Sequence, residues 1–386
     1  MSFSSSSRAL SSSTPSFARR ALGLVLALAC ALPAMGCAVQ AGSEAPLEAG
    51  EEPGASVGQT ESALAPANWA WGFAWVNPGF AVSPQYSFNS GNAPITYSGS
   101  NGSYTVTMNE LGQPGGNVQV VSYGSTATRC KVASWGPSGN HQVIQVRCHN
   151  TAGALTASPF VVFFNKGGSG QVGAHLYYSG TSVPSTWSWN SSGLSNSVTN
   201  TGTGYYSATL RGLAFANASL HVTAYGSGSQ ACKVRSWSAS GSDMIVRVRC
   251  NDTAGNLVNT PFTLNYTSTT PRTGMVGGHA WINGATSAPS GYQAVQHGVA
   301  CFSAGPATVS GFSAVTYPNT FVGSSYPSMT LSTAYGDDSN FCKVESWSQS
   351  GTGYTARTKC FTAAGAASTT TMFNSSFMLG TYPGPC

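Results

Sequence analysis

The residues in this sequence with the greatest capacity for chemistry are its cysteines. Six of the ten fall into three pairs, each with a separation of 18: Cys130 and Cys148, Cys232 and Cys250, Cys342 and Cys360. Cys301 and Cys386 remain in the body, and Cys30 and Cys37 lie near the N-terminus. Oxidative pairing of the body cysteines accounts for all eight and leaves no free thiol for nucleophilic catalysis. The six histidines, His141, His149, His175, His221, His279 and His297, form neither H-E-x-x-H nor a Cys-His zinc spacing. No metal or cofactor is expected. His175 and His279 occupy equivalent places in the repeat described below, where the first copy has Ala74, and packing on a strand is the expected role.

Glycosidic chemistry needs two carboxyl groups a few ångströms apart. From residue 67 onward the acids are Glu110, Asp243, Asp252, Asp337, Asp338 and Glu345, and none recurs at one position through all copies. Asp337-Asp338 are adjacent and would face opposite ways in an extended segment, so a solvated loop is expected, with a weak Ca²⁺ contact as the alternative. The G-x-S-x-G match at Gly54-Ala55-Ser56-Val57-Gly58 lacks the strand and helix that give the motif its meaning. Gly167-Gly168-Ser169-Gly170 falls between repeats and reads as a linker rather than a phosphate loop.

The elements that carry these groups repeat. Cys130-Lys131-Val132-Ala133-Ser134-Trp135 recurs as Cys232-Lys233-Val234-Arg235-Ser236-Trp237 and as Cys342-Lys343-Val344-Glu345-Ser346-Trp347. Each block follows a Tyr-Gly (Tyr123-Gly124, Tyr225-Gly226, Tyr335-Gly336) and precedes an Ala-Gly (Ala152-Gly153, Ala254-Gly255, Ala364-Gly365). Segments such as Ile144-Gln145-Val146-Arg147-Cys148 alternate apolar and polar residues, the period of a half-buried strand. Ser138-Gly139, Ser240-Gly241 and Ser350-Gly351 supply hairpin turns. Folding back about those turns sets the two cysteines of each pair nearly opposite, within disulfide reach. Cys130–Cys148, Cys232–Cys250 and Cys342–Cys360 are therefore expected, with Cys301–Cys386 pinning the C-terminal tail. In this reading the lysine after the first cysteine points outward, and Pro84, Pro184 and Pro289 mark turns before aromatic strands. Short strands at this density predict an all-β fold of three tandem Ig-like sandwiches over residues 67–166, 167–270 and 271–386, the last with an insertion.

The Cys-Lys-Val-x-Ser-Trp hairpin, with its flanking Tyr-Gly and Ala-Gly, resembles repeat-containing secreted proteins of myxobacteria and actinobacteria. The resemblance covers residues 67–386, is weakest between Val295 and Thr330, and carries no activity to transfer.

Composition bounds the function. Only 7% of the residues are charged, against about 25% in ordinary soluble chains. That argues against a cytosolic housekeeping enzyme, a coiled coil and a charge-driven disordered protein. The thirteen basic residues beyond residue 66 form no run or stripe of the kind that binds nucleic acid. Residues 1–37 read as an export signal: Arg19-Arg20, an apolar run from Ala21 to Leu32, then small residues before Cys37, an expected lipidation site. Residues 38–66 lack aromatics and read as a flexible tether.

The expectation is an extracytoplasmic protein, a bacterial outer-membrane or cell-surface lipoprotein or a secreted protein, touching membrane only through its lipid. Its expected role is non-catalytic, in adhesion or the binding of a polysaccharide or surface polymer, with Trp187, Trp189, Tyr177 and Trp75 as candidate contacts. Trp135, Trp237 and Trp347 are expected to pack on their hairpins. The alternatives are a secreted hydrolase with its catalytic group in the divergent third repeat around Cys301–Gly336, which Asp337 or Asp338 facing His297 across a cleft would favour, and a purely structural spacer.

Overall fold

The computed structural model describes residues 70–167, 172–268, 276–284, 288, 293–296, 307–310, 313–318, 327–350 and 353–380. The signal, the tether, Cys37, Cys301, Cys386, Pro289 and His297 lie outside them.

The alternating segments of the first copy form β1 (Ala70–Val76), β2 (Val82–Asn89), β3 (Ile95–Ser100), β4 (Ser103–Met108), β5 (Asn117–Ser122), β6 (Arg129–Ser138), β7 (His141–His149) and β8 (Phe160–Lys166). The second copy repeats them as β9 (Gly173–Tyr178), β10 (Ser188–Asn190), β11 (Ser197–Gly202), β12 (Tyr205–Leu210), β13 (Ala218–Ala224), β14 (Ala231–Ser240), β15 (Asp243–Asn251) and β16 (Phe262–Ser268). The third supplies β17 (Val276–Ile282), β18 (Gln293–Gln296), β19 (Thr308–Ser310), β20 (Ala314–Pro318), β21 (Ser328–Tyr335), β22 (Phe341–Ser350), β23 (Gly353–Phe361), β24 (Ala367–Ser368) and β25 (Met372–Leu379). A single 3-10 turn, Ser185–Trp187, is the one helical element among the described residues.

Each copy is a sandwich of two antiparallel sheets. In the first copy the order β2-β1-β8-β5 packs on β3-β4-β7-β6, and the other copies follow the same scheme. Side chains from both sheets meet in one core per copy: Val106, Ile144, Val146, Phe160 and Phe164 in the first, Tyr206, Val246, Phe262 and Leu264 in the second, Tyr317, Tyr354 and Phe377 in the third. Three four-plus-four sandwiches confirm the all-β repeat architecture. Their strand order is not the ABED/CFG order of an immunoglobulin domain. Strand number and spacing follow from local alternation, whereas partner choice depends on how the chain crosses between sheets.

The three hairpin disulfides form as expected, with Cα–Cα distances of 4.0, 4.1 and 4.0 Å. Their register depends on a β-bulge. The pairing shifts between Val132 and Ser134, between Val234 and Ser236, and between Val344 and Ser346. The extra residue is Ala133, Arg235 or Glu345, the variable slot of the block. Without it a two-residue turn would set Cys130 opposite His149 instead of Cys148, so the bulge aligns the sulfurs. Pro84 does not mark a turn. It lies inside β2, an edge strand, where a missing N–H costs no ladder bond.

The two sheets of each sandwich differ in burial. β4 and β7 alternate buried with half-buried or exposed residues, as a half-solvated sheet should. β5, β8, β13 and β21 are buried on both faces for nearly their whole length. The reason is that β5, β13 and β21, the same strand in each copy, pack on one another. The outer face of each of these sheets is thus covered by the other copies.

Candidate functional site

The recurring motifs converge at the junctions between copies. The Tyr-Gly of each copy forms a parallel bridge to the valine of the Cys-Lys-Val in the preceding one: Tyr225 to Val132, Tyr335 to Val234, and Tyr123 to Val344. In each case the glycine N–H donates to the valine carbonyl, Gly226 to Val132 at 2.9 Å, Gly336 to Val234 at 3.0 Å and Gly124 to Val344 at 2.9 Å. The third contact links the last copy back to the first, so the three sandwiches close into a ring. These glycines have φ of 95°, 102° and 111°, a region closed to most other residues, and this explains why glycine recurs there. At the second junction the bridge joins the sheets into one of eight strands.

The motif lysines follow the same cycle. Lys131 Nζ lies 3.4 Å from Gln230 Oε1 in the second copy, Lys233 pairs with Asp338 in the third, and Lys343 donates to Thr126 O at 2.8 Å and Thr128 Oγ1 at 2.9 Å in the first. Their exposures are 4, 5 and 0%. The expectation of outward lysines in water is therefore corrected: they leave the outer face of their own sandwich but enter the junction with the next. Burial pushes Lys131 and Lys343 down to about 7, the charge of Lys359 adding to the effect at Lys343. Burial also lowers Lys233, opposed by its bond to Asp338.

Each motif tryptophan likewise packs across a junction rather than on its own hairpin alone. Trp135 meets Tyr177, Trp187 and Tyr225 at ring-centroid distances of 5.3, 5.1 and 5.5 Å. Trp347 meets Trp75, Tyr86 and Tyr123 at 5.4, 5.5 and 5.4 Å, and Trp237 meets Trp281 and Tyr335 at 5.5 and 5.3 Å. Three of the four candidate contacts, Trp75, Tyr177 and Trp187, therefore sit half-buried in two of these clusters. The fourth, Trp189, is half-buried elsewhere, stacked on His175 at 5.8 Å.

The junction interiors differ in chemistry. Between the first and second copies the contact is polar: Thr223 Oγ1 donates to Gln119 Oε1 at 2.7 Å, and Thr263 Oγ1 to Val118 O at 2.7 Å. Between the second and third, His221 lies 2.9 Å from Thr333 Oγ1 and 2.7 Å from Ser376 Oγ, and His279 Nε2 lies 3.0 Å from Asn217 Oδ1. Between the third and first, Trp71, Phe73 and Phe163 pack on Met329, Leu331 and Met378.

Asp337 and Asp338 lie exposed in a bend, as expected of a solvated loop, but they are also paired across a junction. Asp337 accepts from Arg235 at 2.8 Å, Arg249 at 3.0 Å and Tyr205 at 3.1 Å, while Asp338 takes Lys233. Partial burial acts to raise the Asp337 carboxyl, but the bonds from Arg249, Tyr205 and Arg235 together hold it below its usual range. Both acids belong to the junction between the second and third copies.

A cavity of about 70 Å³ lies where the three copies meet. It is lined by the ends of β5, β13 and β21 and by the segments that lead into the first cysteine of each pair. Arg129, Lys131, Lys233 and His149 are among its walls, and among the described residues that line it none is acidic. Burial, then the charges of Lys131, Arg147 and Arg129, lowers His149 to about 4.

Comparison with known protein families, characterised proteins and solved structures gave no match. The three cystines place the body in an oxidising, extracytoplasmic environment. Among the described residues no helix is long and apolar enough to cross a membrane. Sequence reasoning aligned the motifs but did not see that they contact one another across copies. The available signal was the unbroken run Phe160-Val161-Val162-Phe163-Phe164, which marks a strand buried on both faces.

Proposed function

We propose that this is an exported, non-catalytic surface protein, tethered through lipidated Cys37, that acts in adhesion by binding a polysaccharide or surface polymer. The observation that carries the reading is the use made of the recurring residues. Tyr-Gly, Cys-Lys-Val and Trp hold the copies to one another, and no set of acid, base and nucleophile recurs beside them. Equivalent aromatic clusters recur at the junctions with their rings half-exposed, in surroundings rich in Ser, Thr and Asn. Half-exposed rings suit stacking on sugar faces, and such side chains supply uncharged hydrogen bonds. A ring with equivalent clusters gains avidity on a repeating polymer.

The test is binding of the purified body to an array of polysaccharides and cell-wall polymers, repeated with Trp187→Ala and Trp189→Ala. A blank array removes the reading. Binding that persists in both variants, with unchanged melting, moves the contact away from these rings. A purely structural spacer is the second reading, favoured by the packing of Trp75, Tyr177 and Trp187 against the motif tryptophans. It is the reading left standing by a blank array.

A further inference from the structure

The central cavity gathers positive charge in a chain that has little. Arg129, Lys131 and Lys233 all line it, three of the thirteen basic residues beyond residue 66, with no carboxylate among the described residues of its walls. Each is at least nine-tenths buried. A buried cation normally carries a partner that offsets its lost hydration. Lys233 has one in Asp338. Lys131 reaches only the neutral Gln230 Oε1 at 3.4 Å. Arg129 donates from Nη1 to Asp252 O at 3.5 Å and from Nη2 to Thr253 O at 3.5 Å and Ala363 O at 3.0 Å, stacks over Phe341 at 4.4 Å and feels the Asp252 carboxylate; its buried Nε alone has no partner among the described residues. Arg129 and Lys131 come from the first copy and Lys233 from the second, so the charge is assembled where those two copies meet, and Phe341 of the third copy completes the wall.

We propose that the central cavity binds one small tetrahedral oxyanion, inorganic sulfate or phosphate, held by Lys131, Arg129 and Lys233. The cavity volume of about 70 Å³ has room for about five water-sized atoms, the heavy-atom count of such an ion. The lysines supply point charges from two sides, and the unpartnered Nε–H of Arg129 adds one directed donor. The ion reaches the cavity past half-buried Ser229, Gln230 and Ala231. Because its ligands come from two copies and its walls from three, a bound ion ties the ring together.

The experiment is calorimetric titration of the protein with sodium sulfate and with sodium phosphate, against sodium chloride at matched ionic strength, together with thermal melting in each salt. The expected result is one site per chain for sulfate and phosphate and a higher melting temperature than in chloride. Lys131→Met should weaken binding tenfold or more. Arg247→Met, an exposed position outside the cavity, should leave it unchanged. Ala231→Glu puts a carboxylate at the half-buried rim and should abolish binding without touching the lysines, so it decides the matter where Lys131→Met does not fold. Absence of heat and of any melting shift beyond chloride overturns the proposal. So does sulfate binding of wild-type strength in folded Lys131→Met or Ala231→Glu.

Discussion

Acidification should loosen the ring well before the carboxylates titrate. His175, His221 and His279 are each 4% exposed or less, and burial pushes all three down to about 3; Lys166 assists at His175 and His279 assists at His221. Their recorded partners are neutral: Trp189 for His175, Thr333 and Ser376 for His221, Asn217 for His279. In the unfolded chain a histidine titrates near 6.5. Their folded values are depressed, so their neutral forms support the fold above pH 6.5 and that support is lost as pH falls toward 3. Between pH 6 and 5 an unfolded histidine holds on average about 0.9 proton while the buried one holds almost none, a loss of about 1.2 kcal/mol each. These three give about 3.6 kcal/mol over that one unit and His149, lowered to about 4, adds about 1.1 more, together a large share of the roughly 5–15 kcal/mol that holds typical domains folded. Urea unfolding followed by tryptophan fluorescence, with disulfides intact, measures this slope. His175→Phe keeps a ring against Trp189 and removes a buried Nδ1 that has no partner among the described residues, so the slope should fall by about one quarter. A wild-type slope below that of a single histidine, or a slope unchanged in His175→Phe, would refute the argument.

Other predictions test the junctions. Trp347→Ala removes the ring shared with Trp75, Tyr86 and Tyr123 and should cost about 3 kcal/mol in urea unfolding; a loss under half that would mean the cluster is decorative. Lys343→Met removes a fully buried amine lowered to about 7. The wild type should gain stability as pH rises from 7 toward 10, because the unfolded lysine still holds its proton there, and this gain should shrink in Lys343→Met. Gly365 sits at φ 91° with Thr151 Cγ2 of the first copy 2.8 Å from where a Cβ would stand. Gly365→Ala should therefore cost about 1–3 kcal/mol, whereas Gly136→Ala, which meets nothing within 4 Å and has no left-handed φ, should be nearly neutral by the same melt.

Much of the fold was legible locally. The period-2 pattern of Ile144, Val146 and Cys148 located β7 and its inward face, and the same pattern located β15. The spacing of 18 and the Ser-Gly turns gave the disulfides, although the bulge at Ala133, Arg235 and Glu345 that aligns them left no mark beyond a variable position. Lys131 shows where local reasoning stops. Alternation correctly turned it away from the core of its own sandwich, but whether that direction leads to water depends on what packs outside. The exposed bend of Asp337 and Asp338 was legible, but their pairing was not, for the same reason: their partners Arg235, Arg249 and Lys233 lie about a hundred residues away.

The sequence by itself determined the strands, the three copies, the cystines and, through them, the oxidising compartment, because each depends on contacts within one hairpin or on residue counts. Tertiary structure alone decided that the copies form a closed ring rather than a row, that the recurring residues serve their neighbours rather than their own sandwiches, and that three cations border one cavity. The bridge from Tyr123 to Val344 makes the point. It joins the first copy to the last, and no local periodicity records a contact between strands that distant; only the packed chain brings their backbones within hydrogen-bond reach.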